Sequence, residues 1–267
     1  MGDQATGRPA WGPGCSAMQV ALFITCLTDT FYPRVGEAMV RVLRHFGCQV
    51  EFPAGQTCCG QPAFNSGFHR EAARLISRMA DVFSPYSCVV TPSASCATMV
   101  KHHGPPLFPE GDQARPAVCA LADKTWEFTT FLRDRLGVDM AAHLRFDEPI
   151  TFHYPCHARE IYSVEDLQGW LAGANGCDLR VPARPDLCCG FGGVFAVEYP
   201  ELSDAMLRDK LSELEATGAD LVISNEAACT LQMSGGAHRR GLRLRFKHLA
   251  ECLAESLGLM EPESWAG

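Results

Sequence analysis

The stretch Gly55-Gln56-Thr57-Cys58-Cys59-Gly60-Gln61-Pro62 contains two adjacent cysteines followed by a glycine. The same pattern returns 130 residues later in Leu187-Cys188-Cys189-Gly190-Phe191-Gly192-Gly193. A single cysteine, Cys26 or Cys156, lies 32 residues before each pair. Another cysteine follows each pair, Cys96 in the first set and Cys229 in the second. Four cysteines in a fixed order therefore occur twice, which indicates an internal duplication.

Size and charge limit the function classes. The chain has 267 residues, of which 47% are hydrophobic, enough for one large domain or two domains of about 130 residues. Its net charge of −8 argues against non-specific binding to nucleic acid, which needs a basic surface. No apolar run reaches the roughly 18 residues of a transmembrane segment, and the N-terminus has no apolar core of a signal peptide. We therefore expect a cytoplasmic protein, in which cysteine groups bind metal or do redox chemistry more often than they form disulfides.

Strand-like and helix-like segments alternate along the chain. This order predicts an α/β fold of two homologous lobes, each with a mainly parallel sheet flanked by helices. The predicted units are a disordered leader (1–17), a first domain (18–145) and a second domain (146–260). Strands are predicted at 18–24, 48–52, 87–91, 149–153, 177–181, 220–224 and about 242–246. Helices are predicted at about 33–46, 69–83, 121–136, 159–171, 200–217 and 249–257, and 101–116 is predicted to be a loop.

The repeated cysteines follow the predicted strands. Ligands of parallel sheets bind beyond the carboxyl ends of the strands, so four thiols are expected at one sheet edge in each half. Thiolates are soft ligands that select zinc, copper(I) or iron–sulfur clusters. Structural zinc prefers cysteine pairs two to four residues apart, which are absent here. Iron–sulfur ligation is therefore the favoured interpretation, with zinc and disulfides as the alternatives.

Glycines follow both cysteine pairs. Neighbouring side chains on an extended strand point to opposite faces, so two adjacent cysteines reach one centre only on a bend. Gly60 and Gly190 permit such a bend. With Gly192 and Gly193, they are candidate cofactor-binding positions, since backbone N–H groups of a glycine-rich turn can point at cluster sulfurs.

These motifs resemble the tandem cysteine-rich CCG domains, and most closely the lactate utilization protein A family. The similarity covers about residues 18–257 and is carried by Leu22–Cys26, Gly55–Ser66, Thr91–Cys96 and Cys188–Phe195. Heterodisulfide reductase and the iron–sulfur subunits of glycolate oxidase and anaerobic glycerol-3-phosphate dehydrogenase share the tandem arrangement.

The resemblance implies an iron–sulfur subunit of an L-lactate-oxidising complex. It would work with two other subunits, one carrying further iron–sulfur clusters, and would meet the inner membrane only through them. The resemblance also implies one cluster, most simply [4Fe-4S], per half. The implied metal ligands are Cys26, Cys58, Cys59 and Cys96 in the first half and Cys156, Cys188, Cys189 and Cys229 in the second.

One feature departs from the family pattern. The full motif ends in Cys-x-x-Cys and supplies five cysteines, which bind non-cubane [4Fe-4S] clusters in heterodisulfide reductase. When this sequence is compared with the motif, Ser93 and Glu226 occupy the positions of the missing cysteines. Counting from the cysteine pair instead gives Met99 as the alternative position in the first half. Four thiolates suffice for an ordinary [4Fe-4S] cluster, so cubane and non-cubane forms both stay open.

The remaining candidates have plainer interpretations. Cys48, Cys88 and Cys177 lie in apolar strands and are expected to be buried core residues, and Cys15, Cys119 and Cys252 belong to no motif. His153 and His157 flank Cys156, where either could cap a helix or hydrogen-bond a cluster sulfur. His102 and His103 are expected in a solvated loop. The basic run 238–248 is expected to be a solvated face or a docking site for an acidic partner.

Three functions follow from these features. The first is electron transfer in lactate oxidation, with the catalytic residues unassigned because no convincing general base is visible. Glycolate or another 2-hydroxy acid is an alternative substrate. The second is a heterodisulfide-reductase-like thiol–disulfide oxidoreductase. The third is a zinc-stabilised scaffold without catalytic activity.

Overall fold

Two four-stranded sheets organise the chain. The computed structural model describes residues 18–262, so the predicted leader (1–17) and Cys15 lie outside the described residues. The strands are β1 Gln19–Leu22, β2 Gln49–Glu51, β3 Val89–Thr91, β4 Thr125–Glu127, β5 Pro149–Phe152, β6 Asp178–Leu179, β7 Leu221–Ser224 and β8 Arg245–His248. The first sheet has the order β2-β1-β3-β4, and the second has the equivalent order β6-β5-β7-β8. All paired neighbours are parallel.

Helices connect the strands and flank the sheets, which confirms the predicted α/β fold with two lobes. They are α1 Cys26–Phe31, α2 Pro33–His45, α3 Gln61–Asn65, α4 His69–Phe83, α5 Ala94–Thr98, α6 Arg115–Lys124, α7 Phe128–Thr130, α8 Met140–His143, α9 Val164–Ala172, α10 Phe195–Glu198, α11 Pro200–Ala216, α12 Ala227–Arg239 and α13 Leu249–Ser256. Helix α5 continues as a π-helical turn over Met99–His103, and α7 does so over Phe131–Arg135. Short 3-10 turns cover Pro105–Leu107 and Cys156–Glu160.

The central strands are apolar because helices cover both of their faces. β3 and β7 are buried along their whole length, whereas the edge strands β2 and β6 are short and largely exposed. In the first sheet, Val20 pairs with Val50 and Leu22 with Val90. The sequence could identify the central strands because continuous apolar runs of this length are typical of buried parallel strands.

Several predicted boundaries were wrong. The helix predicted at 121–136 is interrupted by β4, which pairs with β3 and ends at the buried Glu127. The carboxylate of Glu127 caps α7 by accepting the N–H groups of Thr129 and Thr130. The loop predicted at 101–116 contains the π-helical turn that carries His103. At β4, pairing with β3 overrides the helical propensity of the segment.

The second half shows smaller differences. The helix predicted at 159–171 begins at Val164, because a capping box formed by Ser163 and Asp166 sets its start. The last strand is shifted from 242–246 to Arg245–His248. Helix α12 was not predicted, since its sequence contains two central glycines that weaken the helical pattern.

The two lobes pack against each other through equivalent helices. Arg34 on α2 of the first lobe binds Glu255 on α13 of the second at 3.0 Å. In the reciprocal contact, Arg133 after α7 of the first lobe binds Asp166 on α9 of the second at 2.8 Å. Arg133 also lies over the ring of Trp170 on α9. One apolar cluster includes side chains of both lobes. Because each lobe presents equivalent elements to the other in these reciprocal contacts, the repeats are related by an approximate two-fold axis.

This arrangement decides where a ligand can bind. In each sheet the chain first adds a strand on one side of the starting strand and then adds the next on the other side. The resulting switch points lie between β1 and β3 and between β5 and β7. Crevices at the carboxyl ends of such strand pairs are the usual ligand sites of open parallel sheets.

Candidate metal centre

The first cysteine set gathers at the carboxyl edge of the first sheet. Cys26 begins α1 directly after β1, and Cys96 lies in α5 directly after β3. Cys58 and Cys59 lie in the loop between β2 and α3. The Sγ atoms of Cys26 and Cys58 are 3.9 Å apart, and those of Cys59 and Cys96 are 3.2 Å apart. Four thiols distant in sequence therefore meet at one switch point.

The second set repeats this geometry. Cys156 opens the 3-10 turn after β5, and Cys229 lies in α12 after β7. Cys188 and Cys189 follow β6, and the Sγ atoms of Cys189 and Cys229 are 3.0 Å apart. That separation is longer than the roughly 2.05 Å of a disulfide bond, and all eight cysteines are free thiols.

Both sets line one cleft. Its volume is about 780 Å³ including the open mouth, and all eight repeated cysteines contribute to its wall. Cys26 is exposed, whereas Cys59, Cys96, Cys189 and Cys229 are buried. The sequence predicted one thiol-rich edge per half, and the structure brings the two edges face to face.

The glycines after each cysteine pair adopt left-handed backbone conformations. Gly60 has φ of 88° and Gly190 has φ of 79°. A Cβ atom at Gly190 would lie 2.5 Å from the carbonyl oxygen of Ser203, so the loop also packs too closely on α11 for a side chain. Gly192 and Gly193 have positive φ as well. The N–H of Gly190 donates to Cys188 Sγ, 3.4 Å away.

One thiol in each set is prepared to ionise. Hydrogen bonds from Cys26 and Cys59 lower the pKa of Cys58 to about 3, and the Gly60 N–H acts in the same direction. Hydrogen bonds from Cys156 and Cys189 likewise lower the pKa of Cys188 far below that of a free thiol. Metals bind thiolates rather than thiols, so a thiol that ionises readily in each half suits metal binding.

The positions of the missing fifth cysteines meet in the wall of the cleft. Ser93 Oγ donates to Glu226 Oε2 at 2.9 Å, and the Ser95 N–H donates to the same oxygen at 2.9 Å. Ser93 caps α5, which carries Cys96, and Glu226 caps α12, which carries Cys229. The two thiol sets are thus joined by a buried serine–glutamate contact across the lobes. Met99, the rival position, lies in an apolar cluster and does not line the cleft.

His157 also bridges the lobes. Its Nε2 is 3.0 Å from Gln61 Nε2, its carbonyl accepts a hydrogen bond from Thr98 Oγ1, and its Nδ1 is 3.5 Å from Cys156 Sγ. Burial lowers the pKa of the imidazole. His157 therefore presents its ring to the cleft at the edge of the second thiol set.

Two buried nitrogen groups lie beneath the second set. His153 is fully buried, and burial holds its pKa well below the usual range. Lys210 on α11 is also fully buried, and burial lowers its pKa to about 8. Sequence reasoning weighed His153 but missed Lys210. The sequence does contain a signal for Lys210. Its spacing from Leu207, Leu211 and Leu214 places it on the apolar stripe of α11.

The other candidates lie away from the cleft. Cys48, Cys88 and Cys252 are buried in the apolar cluster shared by the lobes. His103, expected in a solvated loop, stacks on Phe64 and lies 3.7 Å from Glu160. The basic run 238–248, expected to be a solvated or docking face, makes ion pairs within the chain. Its partners are Asp204 for Arg240, Asp220 for Arg243, Glu148 for Arg245 and Glu255 for Lys247.

Comparison with known proteins follows the same repeat. The cysteine-rich CCG domain matches residues 20–101 and 150–234. Lactate utilization protein A of an Exiguobacterium species is 39% identical over 242 residues, covering 89% of this chain and 98% of that relative. The chain belongs to the lactate utilization protein A family. Lactate utilization protein A 2 of Bacillus cereus strain Q1 is 37% identical, with 90% of this chain and 99% of that relative covered.

Solved structures add little. A putative Asp/Glu racemase from Yersinia pestis covers 90% of this chain and 97% of its own at 12% identity and a TM-score of 0.38, too weak a likeness for any conclusion. Within residues 18–262, none of the helices is long and apolar enough to cross a lipid bilayer.

The donor set of the cleft suits a soft metal. The cleft contains two groups of thiols, and each group has one thiol of lowered pKa with a glycine N–H group beside it. Iron–sulfur clusters and other thiophilic metals require such donors. Together with the repeated cysteine-rich domain, this arrangement indicates metal or iron–sulfur binding by a lactate-utilisation protein.

Proposed function

We propose that this protein is an electron-transferring iron–sulfur subunit of an L-lactate-oxidising complex. Cys26, Cys58, Cys59 and Cys96 hold one cluster, and Cys156, Cys188, Cys189 and Cys229 hold the other. When bound, each cluster supplies one-electron redox chemistry. The observation that supports this most is the convergence of both repeated cysteine sets on one cleft at the carboxyl edges of the two sheets.

Adjacent cysteines favour a cluster over a single metal ion. A multi-iron cluster offers several metal atoms to neighbouring thiolates, whereas one zinc ion takes four ligands in a closed tetrahedron. The left-handed turns at Gly60 and Gly190 let both members of each pair reach the cleft wall. The residues of the chain thus bind and orient the clusters, and four of the eight thiols are buried from solvent.

The substrate-oxidising step is assigned to a partner protein of the complex. A 2-hydroxy acid carries a carboxylate, which proteins commonly hold with arginine or lysine. Among the described residues that line the cleft there is neither an arginine nor a lysine. We infer that lactate is oxidised in one of two partner subunits, that one of these carries further clusters, and that this chain relays the electrons.

A second candidate is thiol–disulfide chemistry of the heterodisulfide reductase type. The exposed Cys26 at the mouth of the cleft favours it, because a disulfide substrate must reach a cluster edge. Lactate-dependent dye reduction by the reconstituted complex supports the first function. Dye-coupled reduction of a disulfide by this chain without lactate supports the second.

The test is the iron and acid-labile sulfide content of anaerobically purified protein. Two [4Fe-4S] clusters give about eight irons per chain. Cys59→Ser and Cys189→Ser should each remove roughly half of this iron, since each removes a ligand of one site. Cys252→Ser is the matched control, because Cys252 is buried in the core outside the cleft and should leave the iron content unchanged.

Iron-free protein with stoichiometric zinc would overturn the cluster assignment and would support the hypothesis of a zinc-stabilised scaffold. Equal iron loss in the Cys252→Ser control would show that folding, not ligation, determines the metal content. Electron paramagnetic resonance of the loaded protein then distinguishes cubane from non-cubane clusters.

A further inference from the structure

The two halves differ at a buried position beside the thiols. The repeat places Phe23 in the first half at the position of His153 in the second, since each lies three residues before the first cysteine of its set. Phe23 is fully buried and packs edge-to-face on Phe83. His153 is also fully buried, yet neither of its ring nitrogens has a hydrogen-bond partner among residues 18–262. An imidazole thus replaces an apolar ring at a site that offers it no protein partner.

The unpartnered imidazole faces the second thiol set. A ring nitrogen of His153 and the Sγ atoms of Cys189 and Cys229 all lie within 4.8 Å of one another, and all three residues are buried. Buried polar atoms are nearly always satisfied, because removing them from water without a partner is costly. The geometry of this group therefore points to a partner that the protein chain itself does not contain.

A second substitution lies beneath the same thiols. Gly60 packs on Ala72 of α4, and Gly190 packs in the same way on Ser203 of α11. Ala72 and Ser203 therefore occupy equivalent positions in these two helices. Seven residues further along each helix are Met79 in the first half and Lys210 in the second, both buried.

Lys210 is a buried amine close to the second cysteine pair. Its Nζ is 3.4 Å from the carbonyl oxygen of Pro185, which lies three residues before Cys188. A buried ammonium is stable only near compensating negative charge. At these two positions the second half therefore has an unpartnered nitrogen donor and a buried amine, where the first half has the apolar Phe23 and Met79.

We propose that His153 is a fifth protein ligand of the metal centre in the second half. One neutral ring nitrogen binds a metal atom beside Cys189 and Cys229. The first half has no such ligand, because Phe23 occupies the position. This inference rests on the proposed function, since it requires a metal centre in the second half. Imidazole nitrogen is a common ligand of iron, and histidine in place of thiolate raises the potential of an iron–sulfur centre.

The test is direct detection of the nitrogen ligand. Protein with isotopically labelled histidine is poised in a paramagnetic state and studied by pulsed electron paramagnetic resonance, with Mössbauer spectra covering the diamagnetic states. We expect strong nitrogen coupling in the wild type and its loss in His153→Phe, which copies the residue of the first half. His157→Gln is the control and should keep the coupling, because His157 lies at the edge of the thiol set beside Cys156 and not in the group formed with Cys189 and Cys229.

A second variant guards against misfolding. His153→Cys supplies a thiolate at the same place and should retain iron, lose the nitrogen coupling and shift the midpoint potential of one centre downwards. Loaded wild type without strong nitrogen coupling, or with coupling that survives His153→Phe, would show that His153 is not a ligand while leaving the proposed function intact. Wild type that binds no iron would instead remove the proposed function, and this inference with it.

Discussion

Replacing Gly190 with alanine tests whether the turn after the second cysteine pair is fixed by close packing. At φ of 79° a side chain is in the left-handed region, which costs about 1–2 kcal/mol. The new Cβ would also lie 2.5 Å from the carbonyl oxygen of Ser203, a backbone atom of α11 that cannot move independently. Overpacking of this kind costs a further 1–3 kcal/mol or so. We therefore expect Gly190→Ala to lower the free energy of unfolding by about 2–5 kcal/mol.

Gly193→Ala is the matched control in the same loop. Gly193 has φ of 66°, but a Cβ there meets no atom within 4 Å, so only the backbone cost of about 1–2 kcal/mol should appear. The measurement is urea unfolding of the metal-free, reduced proteins under anaerobic conditions. If the two variants lose equal stability, the close approach to Ser203 does not restrain the turn and the packing argument is refuted.

Three further predictions concern buried polar groups. Burial raises the pKa of Glu127 to about 7, so the folded state binds the proton more tightly than the unfolded state does. This difference contributes on the order of 3 kcal/mol to the free energy of unfolding below about pH 4.5, and the contribution is lost as pH rises through 7. Urea unfolding at pH 5 and pH 8 should therefore show a weaker pH dependence in Glu127→Gln than in the wild type. Lys210→Met should stabilise the metal-free protein by about 1–3 kcal/mol, because it removes a buried ammonium. Met79→Lys should destabilise the protein for the same reason. Unchanged urea unfolding midpoints in both variants would contradict this prediction. Ser93→Ala should cost about 2 kcal/mol through the lost helix cap and hydrogen bond, and its effect should shrink in a Glu226→Gln background when a double-mutant cycle is measured.

The central strands and the location of the repeated cysteines at the sheet edges were predictable from the sequence. β3 and β7 are continuous apolar runs, and the cysteines that follow them must lie at the carboxyl edge of a parallel sheet. The spacing of the repeated cysteines therefore determined both the lobes and the thiol-rich edges. Strand β4 was missed because Thr125-Trp126-Glu127 is only three residues long and lies between helical segments. Its strand conformation comes from pairing with β3, which no local pattern reports.

The single cleft was not predictable for a different reason. Periodicity describes each lobe alone, whereas the meeting of the two edges depends on how the lobes pack through α2, α9 and α13. The contact between Ser93 and Glu226 illustrates this, since 133 residues separate its two partners. The sequence marked both positions only as departures from the five-cysteine motif. Their hydrogen bond follows from docking of the lobes.

The serine–glutamate contact also bears on how such a chain can arise. Ser93 and Glu226 occupy the same position in the two repeats, so the approximate two-fold axis passes between them. In a homodimer of one ancestral repeat, that position would meet its own copy, as residues on the axis of an isologous interface do. Two glutamates would then place like charges side by side in a buried site, and two serines would supply no charge. Fusion of the repeats into one polypeptide removes this constraint. An acid can face an alcohol across the axis, and each half can then evolve its own chemistry around a shared cleft.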